Sequence, residues 1–264
     1  MRRKWIQVIC ALLYNCNFTG FAKGTIYQGD VKSICVPGLN CYSCPGAVGS
    51  CPLGSLQTAL LSSKYKVPYY ILGMLLLFGV MFGRVICGYL CPFGLLQELL
   101  YKIPAKKVKK NKWTKRLSYL KYLILFIFVV AIPLLYAVPG FCKYICPAGT
   151  LEGGIPLVVS DARLQVLLGG LFAWKLWILI VIIGTAVFIF RSFCRFLCPL
   201  GAFYGLFCKV SYIGMKVDGN RCNGCKACVR NCKMDIKEVG DAECIQCGEC
   251  KEICRKCAIS FGKK

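Results

Sequence analysis

An internal repeat built around pairs of cysteines is the feature that most constrains the fold. The stretch RVICGYLCPFG begins at residue 84, and RSFCRFLCPLG repeats its pattern from residue 191. Each copy follows an apolar segment and contains a C-x3-C-P motif. Upstream, VPGLNCYSCPGAVG from residue 36 resembles VPGFCKYICPAGT from residue 138. The chain is therefore predicted to contain two copies of one structural unit.

The apolar segments that precede these motifs are long enough to cross a membrane. A transmembrane helix needs about 20 apolar residues to span a hydrocarbon core about 30 Å thick. Hydrophobic residues make up 57% of this chain, above the roughly 45–50% of a typical soluble domain. We predict a mostly α-helical membrane protein whose four transmembrane helices form two parallel two-helix repeats. The predicted spans are 5–22, 68–86, 119–138 and 172–190.

The first predicted span is the weakest, because Asn15, Asn17 and Thr19 interrupt it. Its basic start would also suit a cleaved signal peptide, and the cysteine of LYNC would suit lipidation at Cys16. The segment has no small-x-small cleavage site, and Asn15 is wrong for a lipoprotein box. We therefore expect an uncleaved helix.

Basic residues predict the orientation, because Lys and Arg concentrate in short cytoplasmic loops. Segment 102–116 carries eight of them, whereas connections 23–67 and 139–171 carry four and two. We predict a multi-pass protein of the cytoplasmic (inner) membrane, with both termini and the C-terminal tail in the cytoplasm and the other two loops outside.

The net charge of +23 would also suit nucleic-acid binding, but its distribution argues against that partner. Residues 1–217 hold 24 Lys and Arg against four acids, and this excess flanks the apolar segments. There it sets topology and contacts anionic headgroups of the lipid bilayer. We predict no nucleic-acid partner.

The C-terminal tail carries the most specific cysteine spacing among the 22 cysteines of the chain. It reads CNGCKACVRNC from residue 222 and CIQCGECKEIC from residue 244. In such tandem C-x2-C-x2-C-x3-C runs, the fourth cysteine of each run ligates the other cluster. We predict a small α+β bacterial-ferredoxin-type domain with two [4Fe-4S] clusters. The ligands are Cys222, Cys225, Cys228 and Cys254 for cluster 1, and Cys232, Cys244, Cys247 and Cys250 for cluster 2.

A pair of zinc sites is the alternative for the tail, but zinc takes four ligands and does not need a crossed pattern of eight cysteines. Two details depart from the usual run: Lys233 and Arg255 stand where proline commonly follows the fourth cysteine. These positions shape a turn and do not ligate iron. Cys257 is an additional thiol.

The duplicated motif predicts a further iron–sulfur cluster in the membrane part. Parallel repeats are related by an axis along the membrane normal, which gathers equivalent residues. Thiols four residues apart share one helical face. The candidate ligands, at the cytoplasmic side, are Cys87, Cys91, Cys194 and Cys198. The alternative is inert buried thiols. Arg84 and Arg191 either stabilise an anionic cluster or extend to lipid headgroups.

The outer loops offer ligands for one more cluster, although an outside compartment also favours disulfides or thiol exchange. The cluster would take four of Cys41, Cys44, Cys51, Cys142 and Cys146. Histidine is absent from the chain. We therefore predict thiolate-ligated iron–sulfur clusters and no haem, since bis-histidine haem, Rieske centres and histidine-bound zinc or copper need imidazole.

Three carboxylates in the membrane part are candidate proton acceptors, which quinol oxidation would need. They are Glu98 on the inner side and Glu152 and Asp161 on the outer side. The alternative, and the expectation here, is that they are solvated interface carboxylates.

The combination of apolar helices, duplicated C-x3-C-P and tandem cluster tail resembles the NapH-, NosR- and CcoG-like polyferredoxin membrane proteins. The resemblance covers nearly the whole chain and divides it into a first membrane repeat (1–110), a second (111–217) and a ferredoxin domain (218–264). It implies electron transfer between a cytoplasmic or quinol donor and an acceptor protein at or beyond the outer face. The chain would be the electron-transfer subunit of an oxidoreductase, similar to a quinol dehydrogenase.

The CcoG-like part of the resemblance implies an alternative function. The outer cysteines would then exchange disulfides or reduce copper with electrons from the ferredoxin domain. A third reading, a redox sensor or assembly factor, has no steady electron flux.

Overall fold

The N-terminal segment is broken where the sequence predicts one span. The computed structural model describes residues 2–62, 68–108, 110–166 and 168–263. It begins with α1 (Arg2–Tyr14) and α2 (Phe18–Lys23). The prediction of a continuous helix over 5–22 is therefore wrong. Asn17 explains the break, because its N–H donates to Gly46 O (3.1 Å) and its side chain donates to Pro45 O (2.9 Å).

The next elements belong to the first repeat and follow a short 3-10 turn at Asp30–Ser33. They are α3 (Pro52–Ser62), α4 (Tyr69–Phe82), α5 (Val85–Tyr89) and α6 (Pro92–Leu100). α4 ends at Gly83, which has a φ of 49°. Glycine tolerates this left-handed region because it has no Cβ. The chain thereby turns sharply from the apolar helix into the C-x3-C-P motif.

The second repeat contains two π-helical segments. Its elements are α7 (Lys112–Leu117), α8 (Leu120–Ile124), π1 (Leu125–Ala131), α9 (Ile132–Tyr136), α10 (Gly140–Tyr144), π2 (Gly149–Gly154), α11 (Ile155–Ser160), α12 (Ala162–Val166), α13 (Gly170–Phe188), α14 (Ser192–Phe196) and α15 (Pro199–Phe207). Each π segment directly precedes a turn that contains a proline, Pro133 or Pro156. Proline lacks an N–H and crowds the carbonyl four residues earlier, and a π turn accommodates that defect.

Two helical stretches of the described chain are long and apolar enough to cross a membrane, Trp113–Tyr136 and Gly170–Phe188. Only 28% and 17% of their most apolar windows are buried inside the protein. The core helix of a soluble protein would be mostly buried, so these exposed apolar faces suit lipid. They coincide with the third and fourth predicted spans. α4 is apolar but only 14 residues long, and the total of four spans stays a prediction. Of the lysines counted for topology, Lys64, Lys66 and Lys109 lie outside the described residues.

The tail is closed by a two-stranded antiparallel sheet. Its elements are β1 (Ile213–Val217), α16 (Ala227–Arg230), α17 (Glu249–Ile253) and β2 (Ile259–Lys263). Ile213 lies opposite Lys263, and Val217 lies opposite Ile259. The sheet therefore joins the first and last segments of the tail, and both cysteine runs lie between its strands in the sequence.

The tail packs directly on the repeats through apolar and charged contacts. Phe190, which follows α13, shares a small core with Met234 and Ile245 of the tail. Glu243 receives ion pairs from Arg84 (3.4 Å) and Lys121 (2.5 Å). These contacts hold the tail against the ends of the repeat motifs.

Candidate metal centres

The four cysteines of the duplicated motif lie together, and we refer to them as the repeat site. Its members are Cys87, Cys91, Cys194 and Cys198. Every pair of these thiols interacts electrostatically, and none is more than 7% exposed. Burial, reinforced by the neighbouring thiols, raises the pKa of Cys91 to about 12 and that of Cys198 well above its usual value. Such buried thiols need a positively charged partner to ionise, and iron would supply it.

The second cysteine of each motif caps a helix. Cys91 precedes Pro92 at the start of α6, and Cys198 precedes Pro199 at the start of α15. Proline suits the first helical position because its missing N–H is not needed there. Gly201 N donates to Cys198 Sγ at 3.3 Å. Helix N-termini favour negative charge, so each helix start favours the thiolate that a cluster requires.

Two buried arginines connect the repeats in a crossed manner. Arg84 of the first repeat donates to Cys194 O (3.4 Å), and Arg191 of the second donates to Cys87 O. Both arginines are 0% exposed. The alternative in which they extend to lipid headgroups is therefore wrong. They place two positive charges beside the repeat site, where they would offset the negative charge of a thiolate-ligated cluster.

Glu98 is held in a buried ion-pair network. Its carboxylate accepts hydrogen bonds from Arg191 (2.7 Å) and from Arg3 (2.8 and 2.9 Å). Burial disfavours its charge, but Arg191 and Arg3 outweigh this effect and hold the pKa of Glu98 below its usual value. The expectation of a solvated carboxylate is wrong for Glu98, which is committed to structural ion pairs.

A second group of cysteines surrounds a cavity of about 660 Å³, and we refer to it as the loop site. Five cysteines line the cavity, Cys35 among them, and the members of the loop site are Cys41, Cys51, Cys142 and Cys146. Every pair of these thiols interacts electrostatically, and each is a free thiol. Cys44, the fifth predicted candidate, does not line the cavity. Its thiol donates instead to Asn15 Oδ1 at 3.6 Å.

The remaining two carboxylates differ in their surroundings. Glu152 in π2 accepts a hydrogen bond from Cys41 N at 2.9 Å. Burial raises the pKa of Glu152 to about 7, so the expectation of a solvated carboxylate is also wrong here. Asp161 accepts from Arg163 N at 2.9 Å in an exposed turn.

A longer motif of seven residues, which begins with Cys-Pro, occurs four times, and sequence reasoning missed it. It reads CPLGSLQ from residue 51, CPFGLLQ from 91, CPAGTLE from 146 and CPLGAFY from 198. The sequence-based alignment matched Cys44 with Cys146, whereas the structure gives Cys51 the equivalent place, directly before a helix that begins with proline. All four copies have a glycine two residues after the proline, and this shared glycine is the sequence signal that identifies Cys51 as the equivalent cysteine. The seventh residue of the motif, counted from its cysteine, is Gln57, Gln97 and Tyr204 in the copies that begin at Cys51, Cys91 and Cys198.

In the tail, four cysteines come together as the tail site. Its members are Cys232, Cys244, Cys247 and Cys250, and Cys228 lines the same cavity. Cys250 interacts electrostatically with the other three members and with Cys228. Burial raises the pKa of Cys244 to about 11 and that of Cys250 to about 12. The division of these cysteines between cluster 1 and cluster 2 stays a prediction.

The predicted ligands of cluster 1 occupy the outer part of the tail. Cys222 and Cys225 are exposed in the loop after β1, Cys228 lies in α16, and Cys254 caps the end of α17. Among the described residues, no group of three Cys, Asp or Glu side chains is arranged to hold a single metal ion.

The tail and the first outer loop both adjoin the repeat site. A Cβ added at Gly88 would lie 2.4 Å from Ile245 O, between the repeat site and the tail site. On the other side, Tyr204 donates to Pro37 O (3.1 Å), and a Cβ at Gly38 would lie 3.2 Å from Cys91 Cα. Sequence reasoning placed the loop and repeat cysteines at opposite faces of the membrane, but the first loop reaches the repeat motif.

A family model described as a 4Fe-4S binding domain matches residues 67–111, 121–155 and 171–212. Each of these matches contains one C-x3-C-P motif, beginning at Cys87, Cys142 and Cys194. No solved structure matches the chain.

Three curated relatives illustrate the similarity. The uncharacterized protein MJ0750 of Methanocaldococcus jannaschii is 33% identical over 80% of this chain and 85% of its own length. The putative electron transport protein YccM of Escherichia coli is 26% identical over 76% of this chain and 57% of its own. The ferredoxin-type protein NapH of Haemophilus influenzae is 25% identical over 72% and 66%. The resemblance to NapH-like proteins is confirmed, and the chain belongs to the family of ferredoxin-type, 4Fe-4S-binding electron transport proteins.

Proposed function

We propose that this protein conducts electrons through a membrane by way of four [4Fe-4S] clusters. Two lie in the tail, with the ligands predicted from the spacing, and one each lies in the repeat site and the loop site. The observation that carries the proposal is the contact between successive sites. Ile245, which follows Cys244 of the tail site, abuts Gly88, which follows Cys87 of the repeat site, and Gly38 of the first outer loop abuts Cys91.

The donor sets suit such clusters. A [4Fe-4S] cluster accepts and releases one electron and takes cysteine thiolates as ligands. The repeat site offers four buried thiols, two buried arginines and helix N-termini. The loop site offers four thiols around a cavity, where Gly149 N donates to Cys146 Sγ (3.3 Å). Apolar residues around the repeat site exclude water and preserve the strength of these interactions.

The exposed end of the tail would receive electrons from a soluble donor in the cytoplasm. Cys222 and Cys225 are exposed, and exposed basic residues lie near them and near Cys254 in the sequence. These exposed residues are Arg221, Lys226, Arg230, Lys251, Arg255 and Lys256. Opposite charge steers association between proteins, so the donor would be a one-electron carrier with an acidic surface. A quinol would be the alternative donor, and the acceptor would lie at or beyond the outer face.

Iron and sulfide analysis of the anaerobically purified protein, with low-temperature EPR, tests the proposal. Four clusters predict about sixteen irons per chain and signals from all four. About eight irons would confine the clusters to the tail and would refute conduction through the membrane part. Cys194→Ser and Cys142→Ser should each remove a different membrane signal.

The cavity favours a second candidate function, a thiol–disulfide or copper reductase that uses the loop site. Unlike the repeat site, the loop site surrounds a cavity of about 660 Å³, a size typical of small-molecule pockets. Anaerobic alkylation of the untreated protein separates the two functions. Cluster ligands resist alkylation until iron is chelated, whereas exchanging thiols at Cys41 and Cys142 would react at once.

A further inference from the structure

Two buried glutamines occupy the same place in the repeat site and in the loop site. Gln97 and Gln57 are each the seventh residue of the longer motif, counted from Cys91 and Cys51. Their exposed fractions are 1% and 0%. Each lies in the first two turns of the helix that its motif begins, α6 or α3.

Gln97 makes three hydrogen bonds, two of which join the two repeats. Its Oε1 accepts from Phe193 N at 3.0 Å. Its Nε2 donates to Phe93 O at 3.3 Å and to Cys194 Sγ at 3.1 Å. The first two bonds fix the orientation of the amide, because its oxygen must face an N–H and its nitrogen a carbonyl. The second N–H is thereby aimed at a thiol of the repeat site.

Gln57 makes the same three bonds in the loop site. Its Oε1 accepts from Phe141 N at 3.0 Å. Its Nε2 donates to Leu53 O at 3.3 Å and to Cys142 Sγ at 3.3 Å. Each glutamine therefore binds the first cysteine of the facing C-x3-C pair and the N–H before it. A buried glutamine that served only to satisfy its own helix would need neither contact.

The hydrogen bond to sulfur has an electrochemical consequence. Hydrogen bonds to the sulfurs help to set the reduction potential of an iron–sulfur cluster. Reduction adds negative charge, so an N–H donor stabilises the reduced cluster more than the oxidised one. In a buried site this difference is larger than in water.

We propose that Gln97 and Gln57 are matched positioning residues, each of which orients one ligand thiolate and raises the reduction potential of its own cluster. The inference rests on the clusters of the proposed function. Because the same donor acts at both sites, it shifts both potentials in the same direction.

The test is an EPR-monitored redox titration of the full-length protein under anaerobic conditions. Gln97→Met keeps the length of the side chain and removes the donor. We expect the equilibrium constant for reducing the repeat-site cluster to fall about tenfold, a shift of about 59 mV for one electron. The loop-site and tail signals of the same sample should not move, which also shows that the protein is folded. Gln57→Met should move the loop-site signal alone.

Gln165→Met is the matched control, because Gln165 is exposed in α12. Potentials that stay at the control values, or that move equally at both sites, would overturn the inference. Loss of every cluster in both variants would also overturn it, since the glutamines would then serve folding in general. If the wild-type protein contains only the tail clusters, the proposed function itself is refuted. If the wild-type protein shows the signals of all four clusters and the glutamine variants leave their potentials unchanged, only the role of the glutamines is refuted.

Discussion

At the scale of single residues, buried charges in this protein are paired across long sequence separations. Arg191 and Arg3 share Glu98, and Arg84 and Lys121 share Glu243. A buried charge without a partner is costly, so removal of one member of such a pair destabilises more than removal of both. These pairs therefore fix how the N-terminus, the repeats and the tail fit together.

Arg191→Met should destabilise the protein by about 3–5 kcal/mol, because it leaves Glu98 buried with one partner fewer. Unfolding of the purified protein in one detergent measures the effect. The double variant Arg191→Met with Glu98→Gln should be less destabilised than Arg191→Met alone. Arg163→Met, at an exposed arginine, is the control. An Arg191→Met protein as stable as this control would contradict the prediction.

The lowered pKa of Glu98 predicts a specific pH dependence. A carboxyl whose pKa is lower in the folded state stabilises folding above its unfolded value, about 4.3 for Glu. That stabilisation is lost as the pH falls through the folded pKa. The wild type should therefore unfold at a higher temperature than Glu98→Gln at pH 7, and the difference should shrink below about pH 4. A difference that grows on acidification would refute this account.

At the scale of elements, short helices that begin at Cys-Pro pairs build both membrane sites. α6 and α15 meet at the repeat site, while α3 and the turn that begins at Pro147 meet at the loop site. The tail loop 244–247 then packs on Gly88, near the end of α5. This packing is close enough that one added carbon would disrupt it.

Gly88→Ala should loosen the tail from the repeat site. The new Cβ would lie 2.4 Å from Ile245 O, a backbone atom that cannot rotate away. Hydrogen exchange measured by mass spectrometry should become faster in segment 244–247. Gly73→Ala is the matched control, because a Cβ there meets nothing within 4 Å. Unchanged exchange in Gly88→Ala would show that the contact is absent in solution.

At the scale of the whole molecule, the cysteine groups form a gradient of burial. The outer part of the tail is exposed, the loop site surrounds a cavity, and the repeat site lies in the core. Solvent and reagents therefore reach the sites in that order. The gradient suits a conductor whose exposed end meets a soluble partner.

Alkylation should follow the same gradient. In the intact anaerobic protein, Cys16 and Cys257 should react at once, because both are exposed and neither is an assigned ligand. After iron is chelated, Cys222 and Cys225 should react next and the repeat site last. Mass spectrometry of timed samples gives the order. Modification of Cys194 before Cys222 would contradict the burial gradient.

Local patterns predicted much of this architecture. The third and fourth apolar spans follow from hydropathy, whereas the two-helix repeats and the crossed ligand set of the tail stay predictions. The division at 110 and 217 stays a prediction. The break at Asn17 was not predictable in detail, because it depends on Pro45 and Gly46 of a distant loop.

The candidate sites were predictable only in part. The choice of Cys51 over Cys44 was present in the sequence, in the glycine and glutamine that follow Cys51. The alignment of the two outer loops matched Cys44 with Cys146 and therefore did not show that Cys51 is the equivalent cysteine. The bonds of Arg84 and Arg191 could not be predicted, since they require the two repeats to be in contact.

The crossed arginines have a consequence for how such a chain could arise. Each arginine donates a hydrogen bond to the backbone carbonyl of the first cysteine in the other repeat's C-x3-C-P motif. Each motif therefore depends on the other half of the protein for this bond. A single ancestral unit would have the same need, and a second copy of that unit could meet it by symmetry. Gene fusion of such a dimer would preserve the arginine bonds while freeing the two halves to diverge.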